Sequence, residues 1–214
     1  MADDASSLAP QFDDLEQQQS ADELGMWIFL STELMLFGGL FLGYTVYHLR
    51  FPAGFAAASA RTDLLIGTIN TAVLLTSSLC MALGLLAAKA GTRRLSALWL
   101  VLTALLGAVF VGLKGLEYGK DFLAHLVPGP GFAITGPEAA GAQMFYVLYY
   151  IMTGLHALHL TIGIVLVTVL AVMAWRGRFS AERHVPVVLG GLYWHFVDVV
   201  WVFLYPLLYL QGRH

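Results

Sequence analysis

The segment VPVVLGGLYWHFVDVVWVFLYPLLYL, residues 185–210, decides the fold class of this chain. It is almost entirely apolar and long enough to cross about 30 Å of hydrocarbon as a helix. His195 and Asp198 stand three residues apart within it, so a helix places both side chains on one face, with a tryptophan beside each. Ionisable groups at membrane depth are expensive and are usually kept for a partner or a pathway. We therefore expect a transmembrane helix in which the aspartate orients the imidazole.

The composition extends this interpretation to the whole chain. Hydrophobic residues make up 58% of the sequence and charged residues 12%, a balance typical of an integral membrane protein. Lipid offers no partners to backbone amides, so apolar runs of this length are expected to be helices. The sequence predicts an all-α integral membrane bundle of five transmembrane helices, at residues 24–49, 64–88, 95–123, 142–175 and 185–210. The fourth run is longer than one span needs, so its first residues should form a loop or an overhanging helix.

Residues 1–23 differ from the rest of the chain, which forms the five-helix domain at 24–214. They hold seven acids, no lysine or arginine and no apolar core, which excludes a secretory signal. We expect an acidic, mobile tail here. Basic residues at the helix ends predict the orientation, with the N-terminus cytoplasmic and the C-terminus outside. Six of them cluster in the two connections that five spans place beside the tail: Lys89, Arg93, Arg94, Arg176, Arg178 and Arg183.

Several kinds of chemistry are excluded by what the chain contains. Cys80 is the only cysteine, so neither an internal disulfide nor a thiolate cluster can form within the chain. No basic surface suits nucleic acid, and no glycine-rich phosphate loop follows a strand. We expect membrane lipids and other membrane proteins as partners, and no nucleic acid.

Besides Asp198, two further acidic residues are predicted to lie inside the membrane. Glu33 lies about 12 Å into the first helix if that helix begins near Gly25, so its carboxyl group must be neutral, hydrogen-bonded or beside water. It is either a proton-handling acid or a structural acid that ties two helices together. Glu117 follows Lys114 by three residues, which predicts a local ion pair near the end of the third helix.

His156 and His159 share a helix face and could ligate a metal or haem, with His195 as a third nitrogen. The sequence argues against a metal site, because it contains none of the Glu-x-x-His pairs of a four-carboxylate di-iron site. We predict no metal site and no cofactor in this chain. The buried polar positions are expected to bond to one another: Glu117, His156, His159, His195 and Asp198.

Taken together, these segments resemble subunit III of the haem–copper terminal oxidases, in particular the short five-helix form found in a-type cytochrome c oxidases. Five motifs carry the resemblance, in order along residues 24–214. They are Ser31-Thr32-Glu33 with Tyr47-His48, Asn70-Thr71-Ala72-Val73-Leu74-Leu75, Glu117-Tyr118, Thr153-Gly154-Leu155-His156-Ala157-Leu158-His159, and Trp194-His195-Phe196-Val197-Asp198-Val199-Val200-Trp201.

The resemblance implies an accessory subunit without redox centres, in a multi-pass arrangement in the bacterial inner membrane. Subunit I of such an enzyme holds haems and copper, reduces dioxygen and pumps protons, while subunit II receives electrons from cytochrome c. Subunit III packs on subunit I, binds phospholipid and supports proton uptake and turnover. By this resemblance, Glu33 is the family's intramembrane acid. Arg178, Arg183 and His184 are candidates for contacts with lipid headgroups.

Two alternatives stay open at the level of the sequence. One concerns the partner complex, because five-helix forms also serve quinol oxidases and nitric oxide reductases. Neighbouring genes or the haem spectrum of the complex would separate these partners. The resemblance also has one departure: the longer mitochondrial-type subunit has two further helices that form one wall of the lipid cleft. An independent haem-binding electron carrier or a small transporter is a third hypothesis, which a Soret band in the isolated chain would support.

Overall fold

The structure of the protein is a computed structural model that describes residues 11–179 and 184–211, apart from the side chain of Leu15. Within these ranges the chain is helical and contains no strand. Its elements are α1 (Leu15–Arg50), α2 (Pro52–Ser59), α3 (Leu64–Lys89), α4 (Arg93–Leu123), α5 (Ala139–Trp175), α6 (Val185–Tyr205) and a π-helix at Pro206–Leu210.

The prediction of five transmembrane helices is confirmed. Five of the described helices are long and apolar enough to cross a membrane: α1, α3, α4, α5, and α6 together with the π-helix. The largest difference in length is at the start of α1, which begins nine residues before the predicted 24. Asp14 caps it by accepting a hydrogen bond of 2.7 Å from the Gln17 backbone, and Glu16 lies in the first turn. The last nine residues of the predicted tail are therefore helical.

The fourth span overhangs the membrane as a helix and does not begin with a loop. α5 is continuous over 37 residues, about 55 Å at the helical rise, against about 30 Å of hydrocarbon. The eight-residue α2, which the sequence analysis did not predict, packs beside its first turns. Their backbones approach so closely that a Cβ atom at Gly54 would lie 2.7 Å from the Gly141 Cα. Only glycine permits this distance.

Helices α3, α4, α5 and α6 form a bundle in which each packs on the next and α6 returns to α3. α1 lies outside this bundle against α5 and α6, and it leaves much of its apolar surface uncovered, as at Met35 and Leu42. At the bundle centre, the ring of Trp194 is fully buried over Gly107 and Gly163. Its indole nitrogen donates a 3.2 Å hydrogen bond to the Ser77 hydroxyl on α3. Trp194 thus packs α6 on three neighbouring helices.

Candidate functional site

A buried ion pair lies at the end of α4 where the chain continues toward α5. The Lys114 ammonium donates to Glu117 Oε2 at 2.9 Å, and their side chains are 2% and 1% exposed. It also donates to the hydroxyls of Tyr149, at 3.0 Å, and Tyr209, at 2.6 Å. Tyr209 in turn donates to Glu117 at 2.8 Å. The predicted pair is present, and three acceptors match the three N–H donors of the lysine.

This cluster is closed by aromatic rings as well as by hydrogen bonds. The Lys114 nitrogen lies 4.5 Å from the centroid of the Tyr149 ring and 5.5 Å from that of Trp201, both cation–π distances. Tyr149 and its neighbour Tyr146 are fully buried in the bundle, so neither ring faces the membrane interface. Desolvation strengthens the charge interactions here and makes the loss of either partner costly.

The π-helix positions Tyr209 in this cluster. Its wider turns leave backbone carbonyls without the usual helical partners, and two of them are bonded by side chains from elsewhere in the chain. The Tyr44 hydroxyl of α1 donates to the Leu207 carbonyl at 2.6 Å. The Ser59 hydroxyl of α2 donates to the Leu208 carbonyl at 2.9 Å. The segment after α6 is thus bonded to α1, α2 and α4.

Glu33 lies against His159, so the predicted intramembrane acid connects α1 to α5. Glu33 Oε2 and His159 Nε2 are 2.9 Å apart, and the side chains are 16% and 11% exposed. The other ring nitrogen, Nδ1, is 2.8 Å from the Leu155 carbonyl, which can only accept. Nδ1 must therefore carry a proton. The bond between Glu33 and Nε2 holds one further proton, which belongs either to a neutral carboxyl group or to an imidazolium.

The hydrogen bond predicted between His195 and Asp198 is absent, which corrects the sequence analysis. His195 Nδ1 instead shares a 2.8 Å hydrogen bond with the Ser78 hydroxyl of α3. Ser78 is also a polar neighbour of Asp198, yet both carboxyl oxygens of this buried aspartate lack a hydrogen-bond partner among the described residues. Spacing along α6 predicted that the two side chains share one face, but the imidazole bonds to a hydroxyl of the neighbouring helix α3 instead.

His156 has a different environment from His159. It is fully buried against the rings of Phe110 and Trp201, with centroids 5.5 Å and 5.1 Å away. Neither of its nitrogens has a hydrogen-bond partner in the part of the chain that the structure describes, and the same holds for the Asn70 amide. The five polar positions therefore do not form one network. They divide into separate contacts at Glu117, His159 and His195, and two side chains, His156 and Asp198, whose polar atoms make no hydrogen bond to another described residue.

No three His, Cys, Asp or Glu side chains within residues 11–179 and 184–211 gather in a way that could hold a metal ion. The three histidines considered as metal or haem ligands have separate surroundings. His159 bonds to Glu33, His195 bonds to Ser78, and His156 is enclosed by rings. The side chains that the structure describes thus do not gather into a ligand set for a metal or haem.

The lipid candidates lie at the opposite end of the bundle from Lys114. Arg178 follows α5, His184 is the residue that precedes α6, and Arg183 lies outside the described residues. Arg176 and Arg178 line one end of a surface groove that runs along α5. Arg93 of α4 lies against the turn between them, with its Nη1 at 2.9 Å from the position of a Cβ atom on Gly177.

Sequence reasoning missed the residues that reach these positions from distant segments. Tyr149 and Tyr209 lie 35 and 95 residues from Lys114, and Ser78 lies 117 residues from His195. No local spacing connects such pairs. The only available signal was chemical, because a buried lysine needs more acceptors than one glutamate provides.

Comparison with known proteins agrees with this fold and interior. A family model described as Cytochrome c oxidase subunit III matches residues 15–213. The cytochrome c oxidase subunit 3 of Thermostichus vulcanus is 36% identical over 197 residues, covering 89% of this chain and 87% of that protein. The cytochrome bo(3) ubiquinol oxidase subunit 3 of Pseudomonas aeruginosa is 30% identical, covering 88% and 84%. The quinol oxidase subunit 3 of Bacillus subtilis is also 30% identical, covering 88% and 86%.

Proposed function

The chain belongs to the cytochrome c oxidase subunit III family, and from that premise we propose that it is the accessory, non-redox subunit of a proton-pumping cytochrome c oxidase. It packs on the catalytic subunit I, in a complex with subunit II and cytochrome c, in the bacterial inner membrane. The haems and copper belong to its partner subunits. The observation that carries this proposal is the family match over residues 15–213, which spans all five transmembrane helices.

The interior of the bundle supports an accessory role. Several of its ionisable side chains connect helices: Glu33 of α1 bonds to His159 of α5, and Lys114 of α4, paired with Glu117, bonds to Tyr149 of α5 and to Tyr209. Such contacts fix how the helices pack, and they leave the chemistry of dioxygen to another polypeptide. The one exchangeable proton between Glu33 and His159 is the feature through which this chain supports proton uptake and turnover by the catalytic subunit.

Purification of the intact membrane complex through a tag on this chain tests the proposal. We expect a haem–copper subunit to co-purify, with haem absorbance that follows the catalytic subunit when the two are separated. A Soret band that stays with the isolated chain would overturn the accessory role and support an independent haem carrier. Purification of this chain without any oxidase subunit would contradict the proposed partner.

A quinol oxidase is the second candidate complex, because relatives at 30% identity carry that name. The 36% identity to a cytochrome c oxidase subunit favours the first candidate. Oxygen consumption by the purified complex, with reduced cytochrome c or a reduced quinol as the only donor, separates the two. A nitric oxide reductase would instead consume nitric oxide in the same apparatus.

Phospholipid binding is the second part of the proposed function, and the α5 groove supports it. The α5 groove consists of two neighbouring surface hollows that share Val169: one is lined by apolar residues such as Ile162 and Val165, and the other includes Arg176 and Arg178. The 11 residue steps from Val165 to Arg176 correspond to a rise of about 16 Å, close to half of the roughly 30 Å hydrocarbon thickness. An acyl chain on the apolar part thus places its phosphate at the arginines, which bind phosphate well.

Native mass spectrometry of the complex tests this lipid site. In Arg176→Gln/Arg178→Gln we expect the retained anionic phospholipid to fall at least several-fold, while Arg94→Gln, a control at the same end of the bundle, retains it. Equal retention in all three proteins would assign the lipid to another surface. Arg183 and His184 stay candidates for the same headgroup and are tested by the same measurement.

A further inference from the structure

Helices α1 and α6 form a groove that opens sideways toward the membrane. Its volume is about 290 Å³. We call it the α1–α6 groove. It shares no lining residue with the α5 groove described above. Its lining residues are Trp27, Leu30, Ser31, Leu34, Leu192, His195, Phe196 and Val199.

The spacing of these residues is that of a helix-packing surface. α1 contributes Trp27, Leu30, Ser31 and Leu34, which follow the pattern i, i+3, i+4, i+7. α6 contributes Leu192, His195, Phe196 and Val199, which follow the same pattern. Such a stripe is the face that a helix presents to a neighbouring helix. Two adjacent stripes of two turns each, about 10 Å long, make a groove that a third helix can fill.

His195 sets the chemistry of the groove. Its Nδ1 is bonded to the Ser78 hydroxyl, which is the one hydrogen bond that its ring makes within the described ranges, so Nε2 is left open to the groove. The residue lies about 15 Å from the start of α6, near the middle of the hydrocarbon. A lipid tail offers no donor or acceptor there, and an unsatisfied polar atom at this depth is costly. A polar side chain on a neighbouring helix satisfies it.

We propose that the α1–α6 groove receives a transmembrane helix of another polypeptide, which packs small or apolar side chains on the two stripes and presents one polar side chain to His195 Nε2. Trp27 and Leu34 are 57% and 63% exposed, so the chain leaves this surface open to an occupant, and the imidazole at mid-span favours a helix with a polar side chain over a lipid tail. The proposal rests on the proposed function only for the identity of that polypeptide, which is then a subunit of the oxidase.

Photo-crosslinking in the purified complex tests the groove. A benzophenone amino acid replaces Leu34 or Val199, which line the groove, and Val165, which is 61% exposed on α5, serves as the control. We expect both groove probes to attach to a transmembrane peptide of a second polypeptide that carries a polar residue in mid-span. The Val165 probe should give lipid adducts.

The imidazole is tested in the same complex. His195→Phe should lower the protein adduct at Leu34 at least several-fold, whereas His195→Gln keeps a hydrogen-bonding group and most of the adduct. Lipid adducts alone at Leu34 and Val199, in a complex that still contains the oxidase subunits, would overturn the groove proposal and leave the proposed function intact. Protein adducts to a polypeptide unrelated to oxidases would support the groove proposal and overturn the proposed function.

Discussion

At the scale of single residues, the Lys114–Glu117 pair shows how a membrane protein keeps charges in its interior. Tyr149 and Tyr209 supply the acceptors that the lysine needs, and Tyr209 also donates to the carboxylate. Because every strong donor is matched, burying the two charges together costs little free energy of folding. Removing one partner leaves the other charge alone in an apolar interior, which is costly.

A double-mutant cycle tests this balance. Lys114→Met and Glu117→Leu should each destabilise the protein by about 3–5 kcal/mol, since each strands a buried charge. The double variant should be more stable than either single one. Thermal unfolding in detergent measures all three, with Lys120→Ala, at the partly exposed ion pair to Asp63, as the control at about 0–1 kcal/mol. Additive losses in the double variant would contradict a coupled pair.

Glu33 can be tested by changing its protonation chemistry without its shape. In Glu33→Gln, the amide donates to His159 Nε2, so we expect normal assembly but faster loss of activity during turnover, because no proton can be exchanged. Glu33→Ala should cost about 1–3 kcal/mol, since it leaves Nε2 unpaired. Subunit yield and activity over repeated turnover separate these effects. A failure of Glu33→Gln to assemble would make Glu33 a structural residue.

Asp63 gives the protein a dependence on pH at the end of α3. Its hydrogen bond to Lys120, 2.8 Å long, lowers the pKa of the carboxyl group below the usual 3.8, and the Ile66 backbone adds to the effect. The lowered pKa means that the stabilisation is fully present above pH 3.8 and is lost as the pH falls through the folded-state pKa. The difference in melting temperature between the wild type and Asp63→Asn should therefore shrink below about pH 4. A difference that grew on acidification would contradict this assignment.

At the scale of elements, glycine decides where helices come closest. A Cβ atom at Gly54 would lie 2.7 Å from the Gly141 Cα and 2.9 Å from the Glu138 carbonyl oxygen, and backbone atoms cannot move aside as side chains do. Gly54→Ala should cost about 1–3 kcal/mol through overpacking. Gly112→Ala, a control on α4 with no atom within 4 Å, should be neutral or gain up to about 1 kcal/mol in the isolated chain. Melting temperatures in detergent compare the two, and equal effects would show that the α2–α5 contact yields easily.

The elements also show what the sequence could and could not predict. The five spans followed from the length of apolar runs, because lipid permits few alternatives. α2 escaped prediction because its eight residues, PAGFAAAS, are too few for a span, although the proline at the first helical position and the four alanines favour a helix. The pairing of His195 was wrong because spacing describes only one helix, whereas Ser78 reaches it from another. Contacts between segments depend on packing, which local patterns do not encode.

At the scale of the whole molecule, the arrangement of charges predicts the topology. The helix ends that flank the connection between α3 and α4 carry Lys89, Arg93 and Arg94, and the connection after α5 also carries arginines, which favours the cytoplasmic side. Cys80 is 7% exposed, so Cys80→Ser provides a background for labelling. In it, a membrane-impermeant maleimide should label Ala133→Cys in intact cells and Ala90→Cys only after permeabilisation. The reverse pattern would invert the proposed orientation.

The π-helix after α6 has a consequence for how the protein is made. Residues 206–210 leave the ribosome after all of α1–α6, yet Tyr44, Ser59, Lys114 and Glu117 bond to them. Until Tyr209 arrives, a nascent chain already in the bilayer holds an ammonium and a carboxylate short of partners. Translation that stops before Tyr209 thus leaves the lysine with one acceptor fewer and the glutamate with one donor fewer inside the bundle.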